Sequence, residues 1–104
     1  MSDLTYPTGF NLNAPENADI VKRTERFFDL IKENDADAKL AALAQEGICL
    51  EAEDDFGTTA LIWVARHGRK DVVQLLLKNG ADINAKSNTG ATALMLAAQD
   101  GRKD

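Results

Sequence analysis

Apolar residues return at helical spacing in five stretches of this chain, separated by glycine, asparagine and aspartate. Ile20, Thr24, Phe27, Phe28 and Ile31 fall on one face of a helix that the pattern carries to about Glu33. Asn13 and Glu16 have the spacing of a capping box before it, with Asn13 as the cap. Asn34-Asp35 breaks that helix, and Asp35 can cap a second one carrying Leu40 and Leu43 and ending at Gly47. Asp54 to Gly57 reads as a turn that needs glycine at a positive φ. Thr59 then caps a third helix to about His67, with Leu61 and Ala65 pointing inward. The fourth holds Val72, Val73, Leu75, Leu76 and Leu77, with Asp71 near its start and Lys78 near its end. So many apolar positions cover most of its circumference, which predicts a helix enclosed by neighbours. A fifth runs from Thr92 to about Asp100 after the turn Ser87-Asn88-Thr89-Gly90. Ahead of all five lies an arm, residues 1–15, with Pro7, Gly9 and Pro15 and no sustained period. Its alternating Tyr6, Phe10 and Leu12 suggest that it rests on the first helix.

These stretches repeat. Gly57, Thr59, Ala60, Leu61, Ala65, Gly68, Arg69, Lys70 and Asp71 return 33 residues later as Gly90, Thr92, Ala93, Leu94, Ala98, Gly101, Arg102, Lys103 and Asp104. Backwards the echo is fainter: Gly47 lies under Gly80, Leu50 under Ile83, Ala52 under Ala85. A fixed period of this length marks a solenoid built from one supersecondary unit per repeat. The segment GTTALIWVARHGRKDVVQLLLKNGADINAK closely resembles an ankyrin repeat. The resemblance implies an all-α solenoid of stacked antiparallel helix pairs joined by protruding β-turns. Its repeats would cover about 24–56, 57–89 and an incomplete 90–104, within a repeat domain over 16–104. The first pair lacks the Gly-x-Thr opening, and Lys22, Arg23, Glu25 and Arg26 make it polar outside, as a capping repeat must be.

Charge and chemistry narrow the function more than they define it. A net charge of −5 and a pI near 4.8 argue against a nucleic-acid surface. No apolar run is long enough for a membrane span, and the N-terminus has no secretory signal pattern. With a single cysteine, Cys49, no internal disulfide can form, so the expectation is a soluble cytoplasmic protein. Glu51, Glu53, Asp54 and Asp55 form an acidic cluster; Arg66, His67, Arg69 and Lys70 form a basic one. Each is either solvated charge or a device that helps select a partner. The acidic cluster lacks the ligand alternation of a calcium loop, and His67 with Cys49 cannot make a zinc set. No nucleophile sits in a recognisable frame, so an enzyme is not expected, and neither is a cofactor.

The resemblance implies a module that binds another protein through its turn tips and inner helix surface. The family's variable contact slots fall on Glu53, Asp55, Phe56, Thr58, Arg66 and His67, then on Lys86, Asn88, Thr89, Ala91, Gln99 and Asp100. Phe56, at the tip, is either a contact residue, packed on a neighbouring tip or simply exposed. Trp63 is expected in the core or between helices. Ile62 and Met95 stand where the family often has a turn-bracing histidine, which predicts looser tips. Leu94, Met95 and Leu96 point across a wide arc of the fifth helix, and no counterpart of Val72–Leu77 follows them. An uncovered face is therefore expected there, to be met by further chain, a second copy or a partner. The alternative function is structural, a capping fragment of a longer array without a partner of its own.

Overall fold

The computed structural model describes residues 4–33 and 36–100, the side chains of 97–100 excepted. Its helices are α1 (Ala18–Ile31), α2 (Asp37–Glu46), α3 (Ala60–Arg66), α4 (Lys70–Lys78) and α5 (Ala93–Asp100). They form two rows. In the inner row α3 packs between α1 and α5; in the outer row α2 packs on α4, and α1 on α2 and α3 on α4 join the rows. The core lies between them, filled by Phe27, Ile31, Leu40, Leu61, Ile62, Val64, Val72 and Leu76. Ala60 and Ala65 are buried too, and their small side chains let the helices approach closely.

The start of α1 departs from the capping box that the sequence suggested. Pro15–Asn17 is a 3-10 turn whose cap position is Ala14, one residue beyond Asn13, and no side chain caps it. Proline has no N–H to satisfy and a φ already suited to a first turn, so a side-chain cap is not required there. Asn11 organises the entry instead. Its Oδ1 accepts the Asn13 amide at 3.0 Å, and its carbonyl accepts the Asn17 side-chain amide at 2.8 Å. The helix ends at Ile31, short of Glu33. Its buried face is Thr24, Phe27, Leu30 and Ile31, with Ile20 and Phe28 half-buried. Buried Thr24 is satisfied both ways: its hydroxyl donates to the Ile20 carbonyl at 2.6 Å and accepts the Cys49 amide at 2.8 Å. Asp35, the expected cap of α2, lies outside the described residues; Ala36 stands at the N-cap without a side-chain bond.

On α4 only Val72 and Leu76 are buried, and Val73, Leu75 and Leu77 are half-buried. The enclosure expected from its apolar run is thus partial. It has α2 on one side and α3 beneath, and no described helix on the other side.

Polar clamps tie one repeat to the last. Arg69, counted in the basic cluster, reaches back to pair with the Asp37 carboxylate and donates to the carbonyls of Ile31 (3.0 Å) and Glu33. The Asn79 side chain donates to the Ala44 carbonyl at 3.3 Å, and the Asp82 amide to Glu51 Oε2 at 3.0 Å. The N-terminal arm pairs through its backbone with the segment ahead of α3. Thr5 exchanges both backbone hydrogen bonds with Glu53, at 2.7 and 2.8 Å, and Glu53 bridges in turn to Thr59. The extended backbone at Glu53, ahead of α3, offers an unpaired donor and acceptor, and the arm fills them. Tyr6 stacks on Phe10 within the arm, ring centroids 5.1 Å apart, while Leu12 is exposed.

Candidate functional site: a groove between two turn tips

Two tips project from the inner row, one before α3 and one before α5. In the first, the Asp54 amide donates to the Thr58 carbonyl at 3.1 Å and the Gly57 amide to the Asp54 carbonyl at 3.0 Å. The turn needs Gly57 at φ 72°, where a β-carbon would also run into the Asn88 side chain. Asp54 then braces the tip with its carboxylate. Oδ1 accepts the amides of Phe56 (2.9 Å) and Thr58 (3.0 Å), and Oδ2 accepts the Trp63 indole N–H at 2.6 Å. The looser tip expected from the missing histidine is therefore not found here; a carboxylate supplies the bracing. Ile62, in the histidine slot, is buried in the core. Thr59 caps α3 as expected, accepting the Ile62 amide at 3.4 Å.

The second tip leans on the first. The Asn88 amide donates to the Phe56 carbonyl at 2.9 Å, and its side chain donates to the Asp55 carbonyl at 3.4 Å. Between the tips and the inner row lies an open groove of about 780 Å³. Phe56, Trp63 and Leu96 give it apolar walls, Thr58, Ser87 and Thr89 give hydroxyls, and Arg66 is its cation.

Of the residues expected at the contact surface, Phe56, Thr58, Arg66, Thr89 and Ala91 meet in this groove. Phe56 is 69% exposed, beyond any packing its own repeat can offer. Thr58 is buried, in contrast to a free surface slot, because its backbone closes the turn with Asp54 at both ends. Glu53 is engaged through its backbone with the arm. Asp55, Lys86 and Asn88 are exposed on the tips and do not line the groove. The side chains of Gln99 and Asp100 lie outside the described residues.

Trp63 was expected inside and is only half so. It packs against the core, but its indole also walls the groove and is tied to Asp54. His67 stacks on it at 5.6 Å and 12° between planes, and the Arg66 guanidinium carbon stands 5.6 Å from its ring centroid. Residues 63, 66 and 67 stand three and four apart on one helix face, a signal the sequence carried. Burial, then the charges of Arg69 and Arg66, hold the His67 pKa below its ordinary value, so at neutral pH the imidazole is uncharged. Cys49 is the reverse case: burial pushes its thiol up, partly offset by backbone hydrogen bonds from Glu51 and Ala52.

Stacked helices in register, with glycine-containing turns before α3 and α5 that lean on one another, set the architecture. A family model described as ankyrin repeats (3 copies) matches residues 26–104. The chain belongs to the ankyrin-repeat family. Ankyrin repeats are generally protein–protein interaction modules, and the family is typically non-enzymatic. None of the curated proteins compared with the chain matches it. Among the described residues of this ankyrin array, no helix is long and apolar enough to cross a membrane. Nor do three or more His, Cys, Asp or Glu side chains among them gather as metal ligands.

Proposed function

We propose that this ankyrin array binds another protein by taking a segment of it into the groove between the two tips. The observation that carries the reading is Phe56. It is a large exposed aromatic on a tip made rigid by Asp54, and it faces Trp63 and Leu96 across one groove. Aromatic and arginine anchors around a preformed concavity are the usual source of interface energy. Preorganisation matters as much, since a braced tip loses little freedom on binding. Glu53, Asp55, Lys86 and Asn88 on the tips then act at the rim, setting orientation more than affinity.

Affinity capture with wild type and with Phe56→Ala, Arg66→Ala and His67→Ala proteins tests the proposal. A bound protein should be retained by wild type and lost from the variants, while melting shifts by no more than about 0.5 kcal/mol in each. Equal capture by all four proteins would refute the groove as the site.

A second reading, self-association through α5, is favoured by one observation: Leu94 and Met95 are exposed side by side. Sedimentation should then show a concentration-dependent dimer that Leu94→Lys abolishes. A wild-type monomer at every concentration would dismiss it.

A further inference from the structure

The groove's charge differs from that of the chain around it. The protein as a whole is acidic, with a net charge of −5. Yet no carboxylate is among the residues that line the groove, and Asp54, bonded to the indole of the lining Trp63, is already committed to three N–H donors of the first tip. Three residues apart on one strand of sequence, Arg66 and Arg69 have opposite fates. Arg69 is used up by Asp37 and two carbonyls, whereas no carboxylate among the described residues pairs with Arg66. Stacked against Trp63, the Arg66 guanidinium keeps its planar edge of N–H donors for another group. His67, neutral at ordinary pH, adds no second charge there.

Resting on the reading of the groove as the binding site, we infer that the partner segment is a peptide joining one bulky apolar side chain to a nearby carboxylate. The apolar side chain lies between Phe56 and Leu96 on the Trp63 face. The aspartate or glutamate meets the edge of Arg66, and the hydroxyls of Ser87 and Thr89 serve the peptide backbone. Among the described residues Arg66 is the one cation lining the groove, with Lys86 outside it on the second tip, so the wall itself matches a single carboxylate. A long acidic run, or a doubly charged phosphate, would meet the net negative charge of the chain.

Selection of random linear peptides displayed against the wild-type protein and against Arg66→Glu tests this, with melting curves run first to confirm that both proteins are folded. Trp63 is the only tryptophan, so its fluorescence reports occupancy of the groove by each synthesised peptide. Wild type should enrich peptides that pair a bulky apolar residue with Asp or Glu, and Arg66→Glu should enrich Lys or Arg at that place. Changing the carboxylate of a selected peptide to its amide should weaken binding about ten-fold, as expected for a charged hydrogen bond. The same change should leave binding to Arg66→Gln unaltered. Peptides that perturb Trp63 but carry no acid, or that bind as well when amidated, would overturn the inference and leave the groove standing as a binding site. No enriched peptide that perturbs Trp63 would overturn both.

Discussion

Helices α3 and α5 are nearly the same object in sequence and very different ones in the molecule. Each follows a glycine turn closed by the same two backbone bonds, Asp54 with Thr58 and Gly57 in one, Ser87 with Ala91 and Gly90 in the other. Each has a threonine cap, Thr59 accepting the Ile62 amide and Thr92 the Met95 amide. Yet Leu61 is 1% exposed and Leu94, its counterpart 33 residues on, is 66% exposed. The cause is the neighbours. Helix α3 sits between α1 and α5, while among the described elements α5 touches only α3. Local sequence makes the helix and its cap; the neighbour decides what the helix is worth.

That contrast can be broken most directly at the leucines. Leu61→Ala should cost about 2–5 kcal/mol, since the cavity lies between packed helices. Leu94→Ala should stay within about 0.5 kcal/mol, as for an exposed position. Urea melts of the two variants measure both, and equal losses would mean that α5 is covered as well as α3. Hydrogen exchange gives the same comparison without mutation, with the amides of α5 expected to exchange before those of α3 and α4.

The turn glycines sharpen it next. Gly90 has φ 83° and open space around it, so Gly90→Ala should cost about 1–2 kcal/mol of backbone strain alone. Gly57→Ala adds a collision with the Asn88 side chain and with its backbone nitrogen 3.0 Å away, and so should cost more than that. Calorimetric melting of the pair would show the gap, and a reversed order would place the tips differently.

The bracing side chains come third. Asp54→Ala removes a charged acceptor from three donors and should destabilise by about 2 kcal/mol. Among the described residues its counterpart Ser87 makes two weaker side-chain bonds, to the Thr89 hydroxyl and the Ala91 amide, so Ser87→Ala should cost under about 1 kcal/mol. Red-shifted Trp63 fluorescence in Asp54→Ala alone would report the lost indole bond.

The smallest effect belongs to His67. Its pKa is lowered on folding, so below its ordinary value of 6.5 the unfolded chain binds more protons than the folded one. Stability should therefore be complete above that pH and fall as the pH drops through the folded value. His67→Gln should flatten that slope slightly in pH-dependent melts, and a steeper slope would reverse the assigned direction.

What could be read beforehand followed from residues acting through the backbone. Gly57, Thr59 and Gly90 set turn and cap geometry by φ and by one hydroxyl, and both demands are local. The period of 33 added that one unit must stack on the next. Asp54 could not be found this way. In the sequence it is one acid among four, and only the folded turn brings its carboxylate to Phe56, Thr58 and Trp63 together. Arg69 looked like surface charge for the same reason, because its partners Asp37 and Ile31 come from the preceding repeat.

The sequence by itself determined the helices, the threonine cap of α3, the turn glycines and the family, since each depends on spacing within one repeat. Tertiary structure alone decided the rest. It paired the arm with Glu53, because backbone hydrogen bonding along extended chain is blind to side-chain pattern. It buried Leu61 and exposed Leu94, because burial belongs to a residue and its neighbours together. It also turned Trp63 from core into the wall of a groove, because a helix face becomes a surface wherever the next element leaves it uncovered.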